Sequence, residues 1–415
     1  MSGESRRVPD HAHAEEGWVA ALAAIILLQT ISSFLNQMLP TLAPILGAEL
    51  GWPATMVGYL VALCTAGSIL FLTCGNPLVR GVGPIRAVQI GLLLGIVGIA
   101  LLPAPLAAAP FMAALMIGLA YGPSTPAGSD VLMRYAPARH RSLIFSLKQA
   151  GVPLGGAAAG LLLPPLALHV GWRTALLAVV AVLLVAVLLA QMVRRRVDAR
   201  RAPDQLRLRL FLSPANVRQP FRVLKAPGLQ RIAIAGGILG ITQGAWNAFL
   251  VTYLVGALHL TATQAGMVFA VMQASGVLGR IGLGWLADRI GSGLSVLRLA
   301  AAASTLVTLA LALAHPDWTL TALIALAFLG GITVSGWNGI QQAEIARRAP
   351  PHLVGEASAG GTVFIFLGFV AGPSLFATVL TLTGRFDLAC FSIAAMPALA
   401  FLLLMRVSHD TPPAL

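Results

Sequence analysis

Apolar stretches of about 20 residues, each long enough to cross a bilayer as helix, recur from residue 18 to residue 406 and constrain this chain more than any other feature. Hydrocarbon offers no partner to a backbone N–H or C=O, so each stretch must satisfy its own main chain by becoming helical. Only 10% of the 415 residues are charged against 58% hydrophobic, too few charges to clothe a water-soluble globule. The chain reads as an all-α polytopic membrane protein.

Ending each run at charges or turn residues predicts twelve spans. The first six lie near 18–40, 53–74, 85–103, 108–133, 142–166 and 172–193; the second six near 231–256, 263–286, 294–315, 318–343, 355–381 and 386–406. They form a six-helix bundle over 18–193 and another over 231–406, with tails at 1–17 and 407–415. The intervening segment 194–230 is a basic linker, in which Arg194, Arg195, Arg196, Arg200, Arg201 and further basic residues face only Asp198 and Asp204. The positive-inside rule places this linker and both termini in the cytoplasm, with the basic turns Pro137–Arg141 and Arg347–Pro350 on the same side. The expected location is a bacterial inner membrane. Arg6 and Arg7 mix with Asp10, Glu15 and Glu16 before a run too long for a signal peptide, so no removed leader is expected.

A net charge of +13 would suit a nucleic-acid binder, but the arginines sit in short loops between apolar spans and read as topology signals. Cys64, Cys74 and Cys390 lack metal-ligand spacing and read as packing residues. There is no phosphate-cradling glycine loop followed by lysine, and no paired acids or nucleophile with its base. Neither enzyme chemistry nor a cofactor, metal or nucleic-acid partner is expected.

The halves repeat each other at an offset of roughly 208–214 residues. Asp130, Arg134 and Pro137 answer Glu344, Arg348 and Pro350, and Gln29 answers Gln243. Asp130 with Arg134, and Glu344 with Arg348, have the spacing of helical ion pairs, although a proton-coupling role for the acids stays open.

Between the eighth and ninth spans the chain reads Gly284-Trp-Leu-Ala-Asp288-Arg289-Ile-Gly291, which resembles the G-x-x-x-D-R-x-G loop signature of the major facilitator superfamily. The resemblance implies two pseudo-symmetric six-helix bundles that rock about a central site, as in a secondary transporter working by alternating access. It also implies a gate built on Gly284, Asp288, Arg289 and Gly291, with Asp288 against a neighbouring helix N-terminus and Arg289 paired with it or with lipid phosphate. The plainer reading of the same residues is a tight turn with a solvated ion pair. In the first half the corresponding loop has Arg80 where the signature has its acid. Gly151-Val-Pro153-Leu-Gly155-Gly156 resembles the family's G-x-P-x-G-G element, commonest in antiporters, and equally suits close helix packing beside a proline bend.

Charge inside a span is costly and marks a functional candidate. Lys148 lies seven residues beyond Arg141 and Arg280 eight before Asp288, depths of about 10 and 12 Å along a helix. In the family, spans one, four, seven and ten line the cavity with two, five, eight and eleven beside them, which lets Lys148 on span five and Arg280 on span eight face each other from opposite bundles and attract an anion; snorkelling into water is the alternative. The arginine ahead of the signature loop also resembles the monocarboxylate and oxalate/formate transporters of the superfamily. Around these cations, Gln29, Ser33, Asn36, Tyr121, Ser124, Thr125, Gln243, Trp246, Asn247, Gln273, Trp337, Asn338 and Gln341 are candidate lining residues. The leading expectation is a monomeric transporter of a small organic anion, a carboxylate, in which the substrate itself can carry a coupling proton because every histidine falls in a tail or loop. The alternatives are an exporter of amphipathic drugs or metabolites with Trp246, Trp337 and Phe364 in an apolar cavity, and a receptor or structural subunit that moves nothing.

Overall fold

The computed structural model describes residues 11–135, 141–211, 213–214, 218, 221, 228–349 and 354–407, of which 11–18, 133–135, 141–147, 200, 208 and 354–356 are described by backbone alone. Among the described residues eleven helical segments are long and apolar enough to cross a membrane, Leu320–Arg348 being counted across a break. Residues 137–140 of the expected turn at 137–141 and the side chain of Arg134 lie outside the described residues, as do Pro350 and most of both tails.

Two of the twelve expected spans are not single helices. The fourth is α5 (Ala109–Tyr121) followed by α6 (Ser124–Tyr135), 13 and 12 residues long, each too short to span alone. Pro123 has no N–H for the ladder, and the Ser124 hydroxyl donates 2.7 Å to the Tyr121 carbonyl beside the break. The tenth is α13 (Leu320–Ser335) followed by α14 (Asn338–Arg348), where the Asn338 amide donates 3.0 Å to the Ser335 carbonyl. Both breaks fall at a glycine, Gly122 and Gly336, at the same offset of roughly 214 residues as the sequence repeat. The first span is longer than expected: α1 (His11–Leu50) continues through Pro40 and Pro44, with the Thr41 hydroxyl bonded to the Gln37 and Met38 carbonyls at 2.8 and 3.1 Å. The carbonyls that these prolines release are those four residues back, of Asn36 and Pro40, and membrane helices tolerate such a gap where it is buried in protein.

The remaining helices are α2 (Met56–Cys74), the short α3 (Asn76–Val82), α4 (Pro84–Leu101), α7 (Arg141–Val170), α8 (Trp172–Val197) and the four-residue α9 (Leu208–Phe211). The second half adds α10 (Leu229–Gly256), α11 (Ala262–Ile290), α12 (Gly293–Ala312), α15 (Val354–Thr383) and α16 (Phe386–Met405). One apolar core is built entirely from residues of the first half. The second half holds two, one of which takes in Val57 from α2.

The halves touch closely at the end remote from the linker. A Cβ on Gly58 would stand 2.6 Å from the Phe249 ring and 2.7 Å from the Pro373 carbonyl, and one on Gly160 would stand 2.6 Å from the Gly266 carbonyl. Glycine at these places lets the backbones of α2 and α15, and of α7 and α11, approach without lipid between them.

At the linker end the chain does not leave α8 as an open strap. Asp198 accepts hydrogen bonds from the Ile85 and Arg86 N–H groups at 2.9 and 3.0 Å, and Ala202 N–H donates to the Arg80 carbonyl at 2.9 Å. Asp198 therefore brings a carboxylate to the N-terminus of α4, where the first-half loop itself supplies none.

Candidate functional site

The two intramembrane cations sit on different halves, yet the groups that bond them all belong to the first half. Lys148 on α7 is 1% exposed, and its ammonium donates to the Thr125 carbonyl at 2.9 Å and the Ser129 hydroxyl at 3.3 Å, both on α6. Gly128 gives it room, since a Cβ there would lie 2.6 Å from Lys148 Cε. Arg280 on α11 instead crosses to the first half, where its Nη1 donates 3.1 Å to the Gln149 carbonyl on α7. Its Nε–H is buried with no partner.

Tyr121, at the end of α5, interacts with both the Arg280 guanidinium and the Gln29 side chain. Gln29 is fully buried on α1; its amide nitrogen donates to Ser124 Oγ at 3.3 Å while Oε1 has no partner. The break at Gly122–Pro123 thus places Tyr121 and Ser124 on either side of one turn, both against Gln29, with Tyr121 within electrostatic reach of Arg280. Four further buried oxygens lack partners: Ser32 Oγ and Asn36 Oδ1 on α1, and Asn247 Oδ1 and Thr252 Oγ1 on α10. A buried polar atom left unpaired costs about 1–3 kcal/mol, so a cluster holding both a free donor and free acceptors is suited to a polar ligand.

Other expected residues are committed elsewhere. Trp246 is 2% exposed and donates 3.2 Å to Thr308 Oγ1 on α12, inside the second half's own core. Trp337 is 1% exposed and donates 2.7 Å to the Val334 carbonyl. Gln341 is fully buried and donates 3.4 Å to the Ile232 carbonyl. These three are not brought to the Arg280 cluster, and the aromatic cavity of Trp246, Trp337 and Phe364 is not formed: the two indoles face their own core, and the Phe364 ring meets Phe221 edge-on at 5.9 Å. Gln243 accepts 3.0 Å from Asn338, joining α10 to α14 within the second half.

The glycine–proline element works as a packing surface. Gly151 sits against Thr30 and Gln29 and Gly155 against α1, while Gly156 faces the Gln273 side chain of α11. Pro153 lies inside α7 without ending it. Ser33 Oγ donates 2.6 Å to the Val152 carbonyl.

The loop signature differs from its expected geometry. Helix α11 runs through Gly284, Asp288 and Arg289, and only Gly291, at φ +71°, makes the left-handed cap that turns the chain. Asp288 is exposed and forms no ion pair among the described residues, and Arg289 lies 5.5 Å over the Trp285 ring instead of pairing with it. The carboxylate that reaches the next helix is Glu344: a Cβ on Gly293, the first residue of α12, would lie 2.6 Å from its Oε1. Glu344 also pairs with Arg348 at 3.1 Å and Arg347 at 2.9 Å. Asp130 has its own interactions, while its expected partner's side chain is outside the described residues.

Sequence reasoning missed Gln149, Ser129 and Asp198. The first acts through its carbonyl, which no side-chain pattern signals, and Asp198 acts across a chain separation of 113 residues.

The family model described as Major Facilitator Superfamily matches residues 25–373, with a second match over 232–415. The chain belongs to the major facilitator superfamily. Membership makes it a multi-pass membrane transporter of that family. An uncharacterized transporter of this superfamily from Mycobacterium tuberculosis (strain CDC 1551 / Oshkosh) is 27% identical over 394 residues, covering 91% of this chain and 84% of the relative. The 4-hydroxybenzoate transporter PcaK of Pseudomonas putida is 24% identical over 413 residues, covering 91% and 90%. A gallate transporter of Pseudomonas putida is 29% identical over 198 residues, 42% of this chain and 44% of that one. Among solved structures, the nucleoside transporter NupG superposes with a TM-score of 0.75 at 15% identity, covering 94% of this chain and 99% of that one. A bacterial homologue of the lysosomal transporter Spinster, inward-facing and unoccupied, gives 0.71 at 14% identity, covering 96% and 99%. These two likenesses concern the superfamily fold alone.

Proposed function

We propose that this superfamily member is a secondary transporter of a small organic anion, a carboxylate, bound between the halves and moved by alternating access. The observation that carries the reading is the Arg280 guanidinium, which spans the seam between α11 and α7 with one buried N–H left over. A substrate carboxylate accepts from that N–H, and Tyr121 stands beside it. A hydroxyl elsewhere on the substrate donates to Gln29 Oε1. The relatives named for 4-hydroxybenzoate and gallate support an aromatic hydroxy acid as the first compound to try.

In this reading the arginine-rich linker and both termini lie in the cytoplasm, the membrane is a bacterial inner membrane, and one chain suffices. A coupling proton travels on the substrate carboxyl. Gly284, Asp288, Arg289 and Gly291 turn the chain at the cytoplasmic gate, where Glu344 and Arg348 brace α12. Gly151 and Pro153 form the surface on which α7 moves against α1.

The test is uptake of radiolabelled 4-hydroxybenzoate and related carboxylates into proteoliposomes. Arg280→Gln removes a charge-assisted hydrogen bond of about 1.5–3 kcal/mol, so uptake at low substrate falls at least ~10-fold at equal protein content. Wild-type rates in that variant would contradict the assignment.

A further inference from the structure

A cavity of about 220 Å³ lies at the end of the molecule remote from the linker, between α1, α2 and α10. Its walls include Leu39, Trp52, Met56, Leu60 and Val255, and no charged side chain lines it. The one side-chain hydroxyl that lines it belongs to Thr252, which is 5% exposed and has no hydrogen-bond partner. That is unusual in this chain: the Thr30, Thr41, Thr65 and Thr305 hydroxyls each bond to the carbonyl one turn back, the ordinary fate of a helical threonine.

We propose that this cavity is a second binding site, separate from the Arg280 cluster, for an uncharged single-ring aromatic compound bearing one hydrogen-bonding substituent. An apolar cavity of about 150 Å³ stays dry and takes benzene, so this one has room for a ring with small substituents. Water entering past the exposed Ala48, Pro53 and Ala54 finds few polar side-chain partners, Thr252 and the Trp52 indole N–H, so a ring displaces it at little cost. A carboxylate is excluded by the uncharged walls, since a buried charge needs a partner. The ring packs against Trp52 and the aliphatic walls, and a rotation of the Thr252 side chain turns its buried Oγ1 toward the substituent. Because α1 and α2 belong to the first half and α10 to the second, an occupant tethers the far ends together and favours the arrangement in which they are closed. The site does not depend on the identity of the central substrate.

The experiment uses the full chain in nanodiscs, with 4-methylphenol as probe and 1,4-dimethylbenzene as its isostere lacking the hydroxyl, and reads the shift in thermal unfolding midpoint over a concentration series. The wild type binds 4-methylphenol about three- to tenfold more tightly than the isostere, the measure of one neutral hydrogen bond. Thr252→Val binds the two equally. Ala43→Trp, which fills the cavity from α1, binds neither, and Arg280→Gln binds 4-methylphenol as the wild type does even where carboxylate uptake is lost. Absence of a midpoint shift in the wild type, an unchanged preference in Thr252→Val, or binding retained by a folded Ala43→Trp protein would overturn the proposal. If Ala43→Trp does not fold, the Thr252→Val comparison decides alone.

Discussion

Lys148 and Arg280 are both basic residues sunk within the membrane-spanning body, yet they are built into opposite situations. Lys148 spends its donors inside its own half, on the backbone and a hydroxyl of α6 just past the break at Gly122–Pro123. Arg280 reaches from one half to the other and still has a buried N–H to give. A cation at the midplane of a bilayer costs about 2.5–3.5 kcal/mol on insertion scales, and the two residues offset that cost differently. One steadies a broken helix. The other leaves its offset incomplete, and in the proposed reading a bound anion completes it.

That contrast is open to direct attack. The largest effect is expected from Arg280→Lys, which keeps the charge but loses the planar fork, so it cannot hold the Gln149 carbonyl and a substrate carboxylate together. Uptake should fall at least ~10-fold despite the conserved charge. Recovery of wild-type uptake by lysine would show that charge alone matters there. Lys148→Met is expected to act mainly on stability: the unbranched side chain fills the space, uptake per folded molecule stays within about threefold of wild type, and the thermal midpoint moves by a few degrees. A folded Lys148→Met protein as inactive as Arg280→Gln would erase the distinction between the two cations. Asp198→Ala should have the smallest effect, costing about 1 kcal/mol as the α4 cap is lost, with uptake per folded molecule unchanged. An intact midpoint would mean that the linker contributes no cap.

The inner loops of the two halves make a similar point about what a sequence can disclose. The signature acid Asp288 announces itself, yet it is exposed, while the carboxylates that reach the starts of α4 and α12 are Asp198 and Glu344. Both come from distant chain, so no local motif marks them. The spans themselves were legible because bilayer hydrocarbon demands length and apolarity, and the breaks at Gly122–Pro123 and Gly336–Trp337 carry turn residues that were passed over as helix. The intramembrane cations were legible by their rarity.

Side-chain direction was not legible. In a soluble helix an apolar stripe marks the buried face, but here lipid and protein interior are equally apolar and the helices carry no such stripe. Trp246, Trp337 and Gln341 therefore looked like cavity residues and are packed within the second half, whereas Tyr121 of the same pattern feels the Arg280 charge and is bonded to Gln29.

The central claim is that Arg280 pairs with the carboxylate of the cargo, and a binding cycle tests it most directly. Dissociation constants for 4-hydroxybenzoate and its uncharged amide, 4-hydroxybenzamide, would be measured on wild type and on Arg280→Gln. The account predicts that the wild type prefers the acid by ~10-fold or more and that the variant binds the two within about twofold of each other. An equal preference for the acid in both proteins would contradict it.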